Sequence, residues 1–451
     1  MTESFMEKPN GYETIKYAVK NIAFYSKPPY TEAAKAVEAG ENLDNILKSL
    51  PVIDGEIFQR GYQKLLPAAK TPITVYMSSG STGKPKIIPR TYDQNIDFSI
   101  GFVDNIVHQV MPDGMDIDIT KLPPIPAISG NLMSYISKEA KSIEFSQGPG
   151  QTLADVLRTI EDIDRSGDKN IWIAGFPSAL FREIYAMKEE DSNYLKSAIS
   201  RLKLHMLTGG ESLPFERAKL LYNLLPTNSS TDLIASSEGV AAYRVYEKDE
   251  LEGDRPINKP FKFIGYNNKF MIMSESDGVK ELLTPAEAIG KTGDVVITTK
   301  ARPGAEYVPL INYNTKDVVA VSSTAEDDSF FGYYIGRSDG IKRFGAGKLI
   351  EPIIANTVAY LINNFKTGEG YSIITSEKGL DKLTFYIDKN RFEGDKDMLL
   401  KAIRSQLSAE QMEIAYSLEK GLCILDVELL DKKGVPFYTD RGKSKWLIDK
   451  R

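Results

Sequence analysis

The chain has 451 residues, of which 42% are hydrophobic and 26% are charged, and its formal net charge is −6 at pH 7. This length exceeds what one ordinary core supports, while the composition is that of a globular protein. The negative charge argues against nonspecific binding to nucleic acid or to anionic membranes, which both need a basic surface.

The single cysteine, Cys423, excludes an internal disulfide and any multi-cysteine zinc site. It lies in the apolar stretch GLCILDVELL, so we expect a buried structural thiol. The N-terminal stretch lacks the continuous apolar segment of a secretory signal, and no run approaches the roughly 20 apolar residues that span a bilayer. We therefore expect a cytoplasmic protein that does not bind membranes.

The N-terminal region, up to about residue 70, reads as charged and mostly helical. The stretch ITVYM then alternates as a strand, and KIIPRTY reads as a returning strand. The hydroxyl-rich stretch SSGSTGKPK therefore joins two strands. From residue 93 to 110, apolar residues recur every three or four positions, which predicts a helix.

The middle of the chain alternates between strand and helix patterns. IWIAG, LKLHMLTGG and TDLIAS are predicted strands separated by helices, which indicates a parallel sheet covered on both faces. In such sheets ligands bind beyond the carboxyl ends of the strands, and these strands end in GFPS, TGGE and SSEG. From about residue 243 to 334 the pattern changes to short strands and turns, as in an antiparallel, barrel-like section.

The C-terminal part, from residue 340, returns to mixed helices and strands. The sequence therefore predicts an α/β protein. Residues 1–338 form a large multi-layer domain with mixed sheets and the barrel-like section, and residues 339–451 form a small α+β domain.

The loop between the first two strands has the chemistry of a phosphate-binding loop. Glycines let backbone N–H groups turn toward an anion, and hydroxyls and lysines add donors and positive charge. The Walker pattern is excluded, because Gly80 and Gly83 are separated by two residues and Lys84 is followed by Pro85. A polar, solvated hairpin loop is the alternative. The candidate ligands are Ser78, Ser79, Gly80, Ser81, Thr82, Gly83, Lys84 and Lys86.

This loop resembles the signature loop of the adenylate-forming superfamily, which includes acyl-CoA synthetases and luciferases. Partner motifs follow in the family's order: LTGGESL, IASSEG, YNTKD, GRSD and DRGKSKWLIDKR. The details are most similar to the phenylacetate-CoA ligase branch. ASSEG and FGAGKLIE also resemble acyl-acid amido synthetases, which share the first half-reaction but pass the adenylate to an amine.

The resemblance implies a role for each matching residue. Gly209, Gly210 and Glu211 form a nucleotide-binding turn, Ser236 and Ser237 lie near the phosphates, and Glu238 helps to bind Mg²⁺. Asp317 accepts hydrogen bonds from the ribose hydroxyls with Arg337 nearby, Asp339 is the hinge of a mobile small domain, and Lys443 is the catalytic lysine. Ile234 and Ala235 stand where the family has an aromatic residue and a glycine, which is a departure from the pattern.

The implied function is ATP-dependent activation of a carboxylic acid as an acyl-adenylate, followed by transfer to the thiol of CoA. The implied cofactors and partners are ATP, Mg²⁺, coenzyme A and a small carboxylic acid, with a homodimer as an assembly that the resemblance allows. No general base is needed for the first half-reaction, so we expect His108 and His205 to be packed or capping residues. Two other classes stay open: an enzyme that passes the adenylate to an amine or to a carrier protein's thiol, and a catalytically silent nucleotide-binding protein.

Overall fold

The computed structural model describes residues 8–68, 71–78, 86–122, 128–146, 151–164, 166–185, 187, 189–211, 213–253, 255, 257–276, 278–389, 391–430, 437–438 and 444–451. The chain divides by its internal contacts into two compact units, each assembled from separate stretches. Unit 1 comprises Met1–Phe145, Leu233–Arg244 and Lys259–Ser338. Unit 2 comprises Ser146–Asp232, Val245–Asn258 and Asp339–Arg451.

The helices are α1 (Gly11–Asn21), α2 (Tyr30–Glu38), α3 (Leu43–Ser49), α4 (Glu56–Arg60), α5 (Tyr92–Phe102), α6 (His108–Val110), α7 (Ile128–Glu139), α8 (Leu153–Ile163), α9 (Pro177–Tyr185), α10 (Glu189–Ile199), α11 (Phe215–Leu224), α12 (Lys248–Glu252), α13 (Glu351–Phe365), α14 (Lys396–Glu410) and α15 (Met412–Glu419).

The strands are β1 (Ile73–Ser78), β2 (Lys86–Thr91), β3 (Ile117–Thr120), β4 (Ile143–Ser146), β5 (Asn170–Gly175), β6 (Lys203–Gly209), β7 (Ser229–Ala235), β8 (Ala241–Glu247), β9 (Phe261–Phe263), β10 (Asn268–Ser276), β11 (Val279–Leu283), β12 (Thr292–Thr299), β13 (Tyr313–Thr324), β14 (Phe330–Arg337), β15 (Lys342–Phe344), β16 (Gly347–Leu349), β17 (Gly370–Glu377), β18 (Leu380–Asp388), β19 (Cys423–Leu430), β20 (Phe437–Tyr438), β21 (Ser444–Lys445) and β22 (Leu447–Asp449).

Unit 1 is built on a row of antiparallel strands. β11 pairs with β10, followed by β12, β13, β14, β9 and β8. Their inner faces form a core in which the rings of Phe263 and Phe330 stack at 4.5 Å and Phe270 packs edge-on against both. The antiparallel character predicted for residues 243–334 is confirmed.

The two strands that flank the hydroxyl-rich stretch in the sequence pair with each other in unit 1. β1 and β2 are antiparallel, with Ser78 opposite Lys86. Helix α5 follows β2 directly, and Thr91 and Gln94 form a reciprocal capping box at its start. It continues through a π-helical turn, Val103–Val107, into α6. The predicted pair of strands and the helix predicted for residues 93–110 are both confirmed.

Unit 2 contains the predicted alternation of strands and helices. β5 and β6 are parallel, and α9, α10 and α11 lie in the connections along the chain. Helix α10 was not predicted from the sequence, because its residues EEDSNYLKSAI are mostly polar. The C-terminal stretch adds the sheet β19-β18-β17-β22 with helices α13 to α15, so the expected α+β composition is confirmed.

Helices α11 and α13 of unit 2 are joined by side-chain amides. Asn356 accepts a hydrogen bond from the backbone N–H of Glu216 at 3.2 Å, and Asn363 donates to the carbonyl of Glu216 at 3.1 Å. Residues before and after position 339 therefore share one packed unit. One border between the units coincides with the predicted boundary at 338/339, and the division into domains 1–338 and 339–451 stays a prediction.

The predicted α/β class, with parallel and antiparallel strand pairs and covering helices, is confirmed. Across the stretches that the structure describes, no helix has both the length and the apolar character needed to cross a lipid bilayer.

Candidate active site

The strand β2 carries the one loop lysine that the structure describes, Lys86. Residues 79–85 lie outside the described residues, so Ser79, Gly80, Ser81, Thr82, Gly83 and Lys84 stay predictions. Ser78 is the last residue of β1, and Lys86 is the first of β2. Ser78 and Lys86 therefore flank the predicted phosphate loop in the chain, and they lie opposite each other in the strand pair.

A tight turn after β7 presents Glu238. The backbone N–H of Gly239 donates to the carbonyl of Ser236 at 3.0 Å, and that of Val240 donates to the hydroxyl of Ser236 at 3.3 Å. Gly239 has a φ of +103°, a conformation that glycine adopts without strain. Ser236 and Ser237 thus belong to the same turn as Glu238.

Glu238, Lys86 and Tyr313 form a compact hydrogen-bonded group, which we call the Glu238 cluster. The ammonium of Lys86 lies 3.1 Å from Glu238 Oε1, and the phenol of Tyr313 donates to the same oxygen at 2.9 Å. Lys86 also lies 3.1 Å from the Tyr313 hydroxyl. The side chains of Glu238 and Lys86 are only 9% and 15% exposed. The carboxylate uses one oxygen for both partners, which allows the other oxygen to face a cation.

The electrostatics of the cluster favour an ionised carboxylate and a protonated phenol. Burial by itself would raise the pKa of Glu238, but the charge of Lys86 and the hydrogen bonds from Tyr313 and Lys86 outweigh burial and lower the pKa below its ordinary value. Burial, and then the charge of Glu238, raise the pKa of the Tyr313 phenol. Tyr313 therefore acts as a hydrogen-bond donor.

The motif YNTKD begins with Tyr313 and ends with Asp317, so β13 connects the cluster to the predicted ribose site. Lys316 has a φ of +68°, and its N–H donates to the side chain of Asn314 at 2.7 Å. This bend in the strand sets the direction of Asp317. Asp317 stands opposite Arg337 on β14, with their charged atoms 3.8 Å apart.

Asp317 is buried, and its environment affects its protonation. Tyr334 donates a hydrogen bond to its Oδ1 at 3.3 Å. Burial raises the pKa of Asp317 to about 6, opposed by Arg337 and reinforced by the charge of Glu238. The structure thus brings together, in unit 1, four residues that the sequence suggested separately: Lys86, Glu238, Asp317 and Arg337.

The donor set fits a magnesium ion that arrives with a phosphate ligand. Among the described residues no group of three or more His, Cys, Asp or Glu side chains could hold a metal ion. Mg²⁺ typically takes one or two carboxylates and completes its shell with water and substrate phosphates. Glu238, whose contacts with Lys86 and Tyr313 both use Oε1, is suited to that role.

The turn Gly209–Glu211 lies in unit 2 at the end of β6. Gly210 has a φ of +74°, which suits a turn that exposes backbone N–H groups. The carboxylate of Glu211 accepts hydrogen bonds from the N–H and hydroxyl of Ser178, at 3.1 and 2.6 Å, and from Arg217 at 3.0 Å. Glu211 thereby ties the turn to the start of α9 and to α11.

The remaining sequence candidates divide between described and undescribed positions. Asp339 lies exposed in the turn between β14 and β15, at the border between the two units. Lys443 lies outside the described residues.

His205 is buried and forms a hydrogen bond with Ser229 at 2.9 Å. Burial lowers its pKa to about 4, as expected of a packed histidine. His108 is exposed near Asp104. Cys423 is buried as predicted.

Two residues near Glu238 were not singled out from the sequence. Tyr313 is the first letter of YNTKD, and its apolar surroundings gave no sign that its hydroxyl bonds Glu238. Arg90 lies in KIIPRTY, where a strand arginine reads as a surface residue, but it is only 5% exposed. The spacing of Lys86 and Arg90 on one face of β2 was the available signal.

No family model and no curated protein matches the sequence. Solved structures do match. A 2-hydroxyisobutyryl-CoA ligase in the postadenylation state, in complex with 2-HIB-AMP, aligns with a TM-score of 0.65 at 13% identity, over 98% of this chain and 88% of that chain. The fold is that of adenylate-forming enzymes.

Two further structures share this fold. An anthranilate CoA ligase in complex with anthranoyl-AMP aligns with a TM-score of 0.53 at 16% identity, over 82% of this chain and 65% of that chain. O-succinylbenzoate coenzyme A synthetase from Bacillus subtilis, in complex with ATP and magnesium ion, gives a TM-score of 0.50 at 14% identity, over 80% and 67% of the chains. These identities establish similarity of fold.

Proposed function

We propose that the protein is an ATP-dependent acid-CoA ligase that activates a carboxylic acid as an acyl-adenylate and then transfers the acyl group to the thiol of CoA. The observation that carries this proposal is the Glu238 cluster. It places a buried, ionised carboxylate beside a lysine at the base of the predicted phosphate loop, in a fold shared with acyl-CoA ligases.

The first half-reaction joins two anions, so its main requirement is electrostatic. A carboxylate oxygen forms a bond to the α-phosphorus of ATP, and the bond from that phosphorus to the bridging oxygen breaks, so that pyrophosphate leaves with the electron pair. Mg²⁺, held by Glu238 and the phosphates, would neutralise phosphate oxygens. No proton needs to be removed, because the acid is already ionised near neutral pH.

The described residues have defined parts in this scheme. Lys86 and Tyr313 hold Glu238 ionised and oriented, so that it needs no rearrangement when the nucleotide binds. Asp317 accepts hydrogen bonds from the vicinal ribose hydroxyls, with Arg337 beside it, because a carboxylate has only acceptors to offer them. Ser236 and Ser237 lie beside the phosphates, and the turn Gly209–Glu211 binds the nucleotide through backbone groups.

Further parts of the proposal rest on the resemblance in sequence. Residues 78–86 hold the outer phosphates, and Lys443 bridges the α-phosphate and the attacking carboxylate. Residues 339–451 rotate about Asp339 between the half-reactions. We also place the chain in the phenylacetate-CoA ligase branch, which favours an aryl acid, and propose a cytoplasmic enzyme that forms a homodimer.

The test is acid-dependent exchange of labelled pyrophosphate into ATP, measured with a panel of aryl and alkyl carboxylic acids. The proposal predicts exchange that needs both an acid and Mg²⁺, followed by release of AMP when CoA is added. Exchange without CoA-dependent release would instead indicate an amine or a carrier thiol as acceptor. Absence of exchange with every acid would contradict the proposal and favour a silent nucleotide-binding protein.

A further inference from the structure

Strand β2 points two cations toward the Glu238 turn. Side chains alternate along a strand, so Lys86, Ile88 and Arg90 share one face. Lys86 pairs with Glu238, as described above. Arg90 is 5% exposed and lies against Gly239, which follows Glu238 in the chain. The same strand thus supplies one cation, Lys86, that forms an ion pair and one, Arg90, that forms none with the described residues.

The guanidinium of Arg90 has neutral partners. Its Nε donates to the side-chain oxygen of Asn95 at 2.9 Å, its Nη2 donates to the carbonyl of Gln94 at 3.0 Å, and it lies 5.4 Å from the ring centroid of Phe98. Within the described part of the chain, Nη1 has no hydrogen-bond acceptor and no carboxylate lies within ion-pair distance. Burial lowers the pKa of Arg90 to about 10, which still leaves it charged at neutral pH.

Arg90 borders a polar cavity of about 20 Å³ in unit 1. The other charged residues that line this cavity already have partners of opposite charge. Lys300 pairs with Asp328 at 2.7 Å, and Glu238 pairs with Lys86. Asp97 pairs with Arg302 at 3.1 Å. The excess charge of the cavity lining is therefore the positive charge of Arg90, and a buried charge of this kind favours an anionic ligand.

Gly239 keeps the space beside Nη1 open. A Cβ at this position would lie 3.1 Å from Nη1, and the φ of +103° disfavours any other residue. The absence of a side chain thus leaves one edge of the guanidinium accessible next to the carboxylate that is proposed to bind Mg²⁺.

We propose that Arg90 binds the carboxylate of the acid substrate, with Nη1 donating a hydrogen bond to one carboxylate oxygen in this cavity. This inference rests on the proposed function. A cavity of about 20 Å³ admits an oxygen of about the size of a water molecule. The rest of the acid therefore extends outside the cavity, and Arg90 recognises the carboxylate that all substrates share.

The charge balance explains why a second cation is needed. Polyphosphate repels an approaching carboxylate, and the charge of Lys86 is already offset by Glu238. A guanidinium that has no ion-pair partner among the described residues and is only 5% exposed lowers that repulsion. It also fixes the direction from which the carboxylate approaches the nucleotide.

The experiment measures pyrophosphate exchange with the full-length wild type and with Arg90→Lys and Arg90→Gln. The inference predicts that Arg90→Gln raises the KM for the acid about 10- to 100-fold, as expected for the loss of a hydrogen bond to a charged group, with the KM for ATP changed less than about twofold. Arg90→Lys keeps the charge and gives a smaller rise. The control is Arg244→Gln, which removes another arginine that stacks on a phenylalanine ring, at 4.4 Å from Phe261, and leaves both constants unchanged.

Gly239→Ala provides a second test that keeps the charge of Arg90. It crowds Nη1 and is expected to raise the KM for the acid in the same way, so the inference stays testable if Arg90→Gln does not fold. An unchanged KM for the acid in the Arg90 variants, or equal rises in both KM values, would overturn the inference and assign Arg90 a structural role beside the Glu238 turn. A wild type without acid-dependent exchange would contradict the proposed function itself, and the inference with it.

Discussion

Two buried glutamates, one in each unit, both pair with a cation, but their surroundings differ. Glu238 shares one oxygen between Lys86 and Tyr313 and lines a polar cavity. Glu211 has both oxygens bonded to groups of its own unit, Oε1 by the hydroxyl of Ser178 and Oε2 by Arg217. Both belong to motifs that the sequence links with nucleotide binding.

The difference shows how burial and bonding distinguish a carboxylate that supports structure from one that can bind a ligand. The Glu211–Arg217 pair, with both side chains 4% exposed, ties the end of β6 to the starts of α9 and α11. In the Glu238–Lys86 pair, one carboxylate oxygen receives both side-chain contacts that the structure describes, and Glu238 lines a cavity. We therefore expect changes at the first pair to affect mainly stability, and changes at the second to affect mainly activity.

The largest effect is expected for Lys86→Met. This change removes the cation that offsets the burial of Glu238, so the pKa of Glu238 rises. It also removes a positive charge at the proposed phosphate-binding end of the site. We expect pyrophosphate exchange to fall about 1,000-fold, roughly 4 kcal/mol in transition-state stabilisation. The measurement is the exchange rate from pH 5 to 8. Lys48→Met, which breaks the exposed pair with Glu287, is the control and should leave exchange unchanged.

Glu211→Gln tests whether the Glu211–Arg217 pair mainly supports the stability of the fold. The amide keeps a hydrogen-bond acceptor for Ser178 but removes the negative charge that lies 3.0 Å from the buried Arg217. The free energy of unfolding should fall by about 3 kcal/mol, measured in urea. Glu287→Gln, at an exposed pair, should cost less than about 1 kcal/mol. A Glu211→Gln protein as stable as the wild type would contradict the expectation that the Glu211–Arg217 pair mainly supports stability.

The pH dependence of nucleotide binding tests the proposed role of Asp317, which lies on the same strand as Tyr313 of the Glu238 cluster. Asp317 has a pKa raised to about 6 by burial, and the ionised form is the one that accepts two hydrogen bonds. The KM for ATP should therefore fall about tenfold as the pH rises from 5 to 7, because the carboxylate becomes ionised. Asp317→Asn should remove this dependence. A wild-type KM that is flat over this range would exclude Asp317 from the nucleotide site.

A third buried carboxylate, Asp118, has no ion-pair partner among the described residues and should affect only stability. It accepts hydrogen bonds from Thr120 and Ser137, and its Oδ1 has no partner in the described part of the chain. Burial raises its pKa to about 7 from an ordinary value of 3.8. Between these values the folded state holds a proton that the unfolded state has released. Stability contributed by Asp118 is therefore lost as the pH rises from about 4 to 7.

Comparison with Asp118→Asn isolates this contribution. The amide cannot ionise, so the difference in unfolding free energy between the two proteins should change by up to about 1.4 kcal/mol per pH unit across that window, while exchange activity stays the same. A difference that does not vary with pH would show that Asp118 is ionised in the folded protein.

Local elements of the site were predictable from the sequence because their signals are local. The alternation in ITVYM and KIIPRTY gave β1 and β2, and the spacing of apolar residues gave the helix after them. The resemblance selected Glu238, Asp317 and Arg337, which the structure places near Lys86. The loop residues 79–84 and Lys443 stay predictions from the resemblance.

Other features depend on contacts between distant parts of the chain. Lys86 and Glu238 are 152 positions apart, and Ser178 and Glu211 are 33 apart, so neither bond has a local signal. Arg90 is buried because α5 and the Glu238 turn lie against it, and the sequence of β2 alone does not show these contacts. The division into two compact units was also not predictable, because each unit joins stretches that are far apart in the sequence.

The most direct test of the central claim compares pyrophosphate exchange by the wild type and by Glu238→Gln, with folding checked by circular dichroism. We predict acid- and Mg²⁺-dependent exchange in the wild type and a loss of at least about 100-fold in the folded variant, because the amide cannot neutralise a metal ion's charge. Wild-type rates in Glu238→Gln would contradict the account.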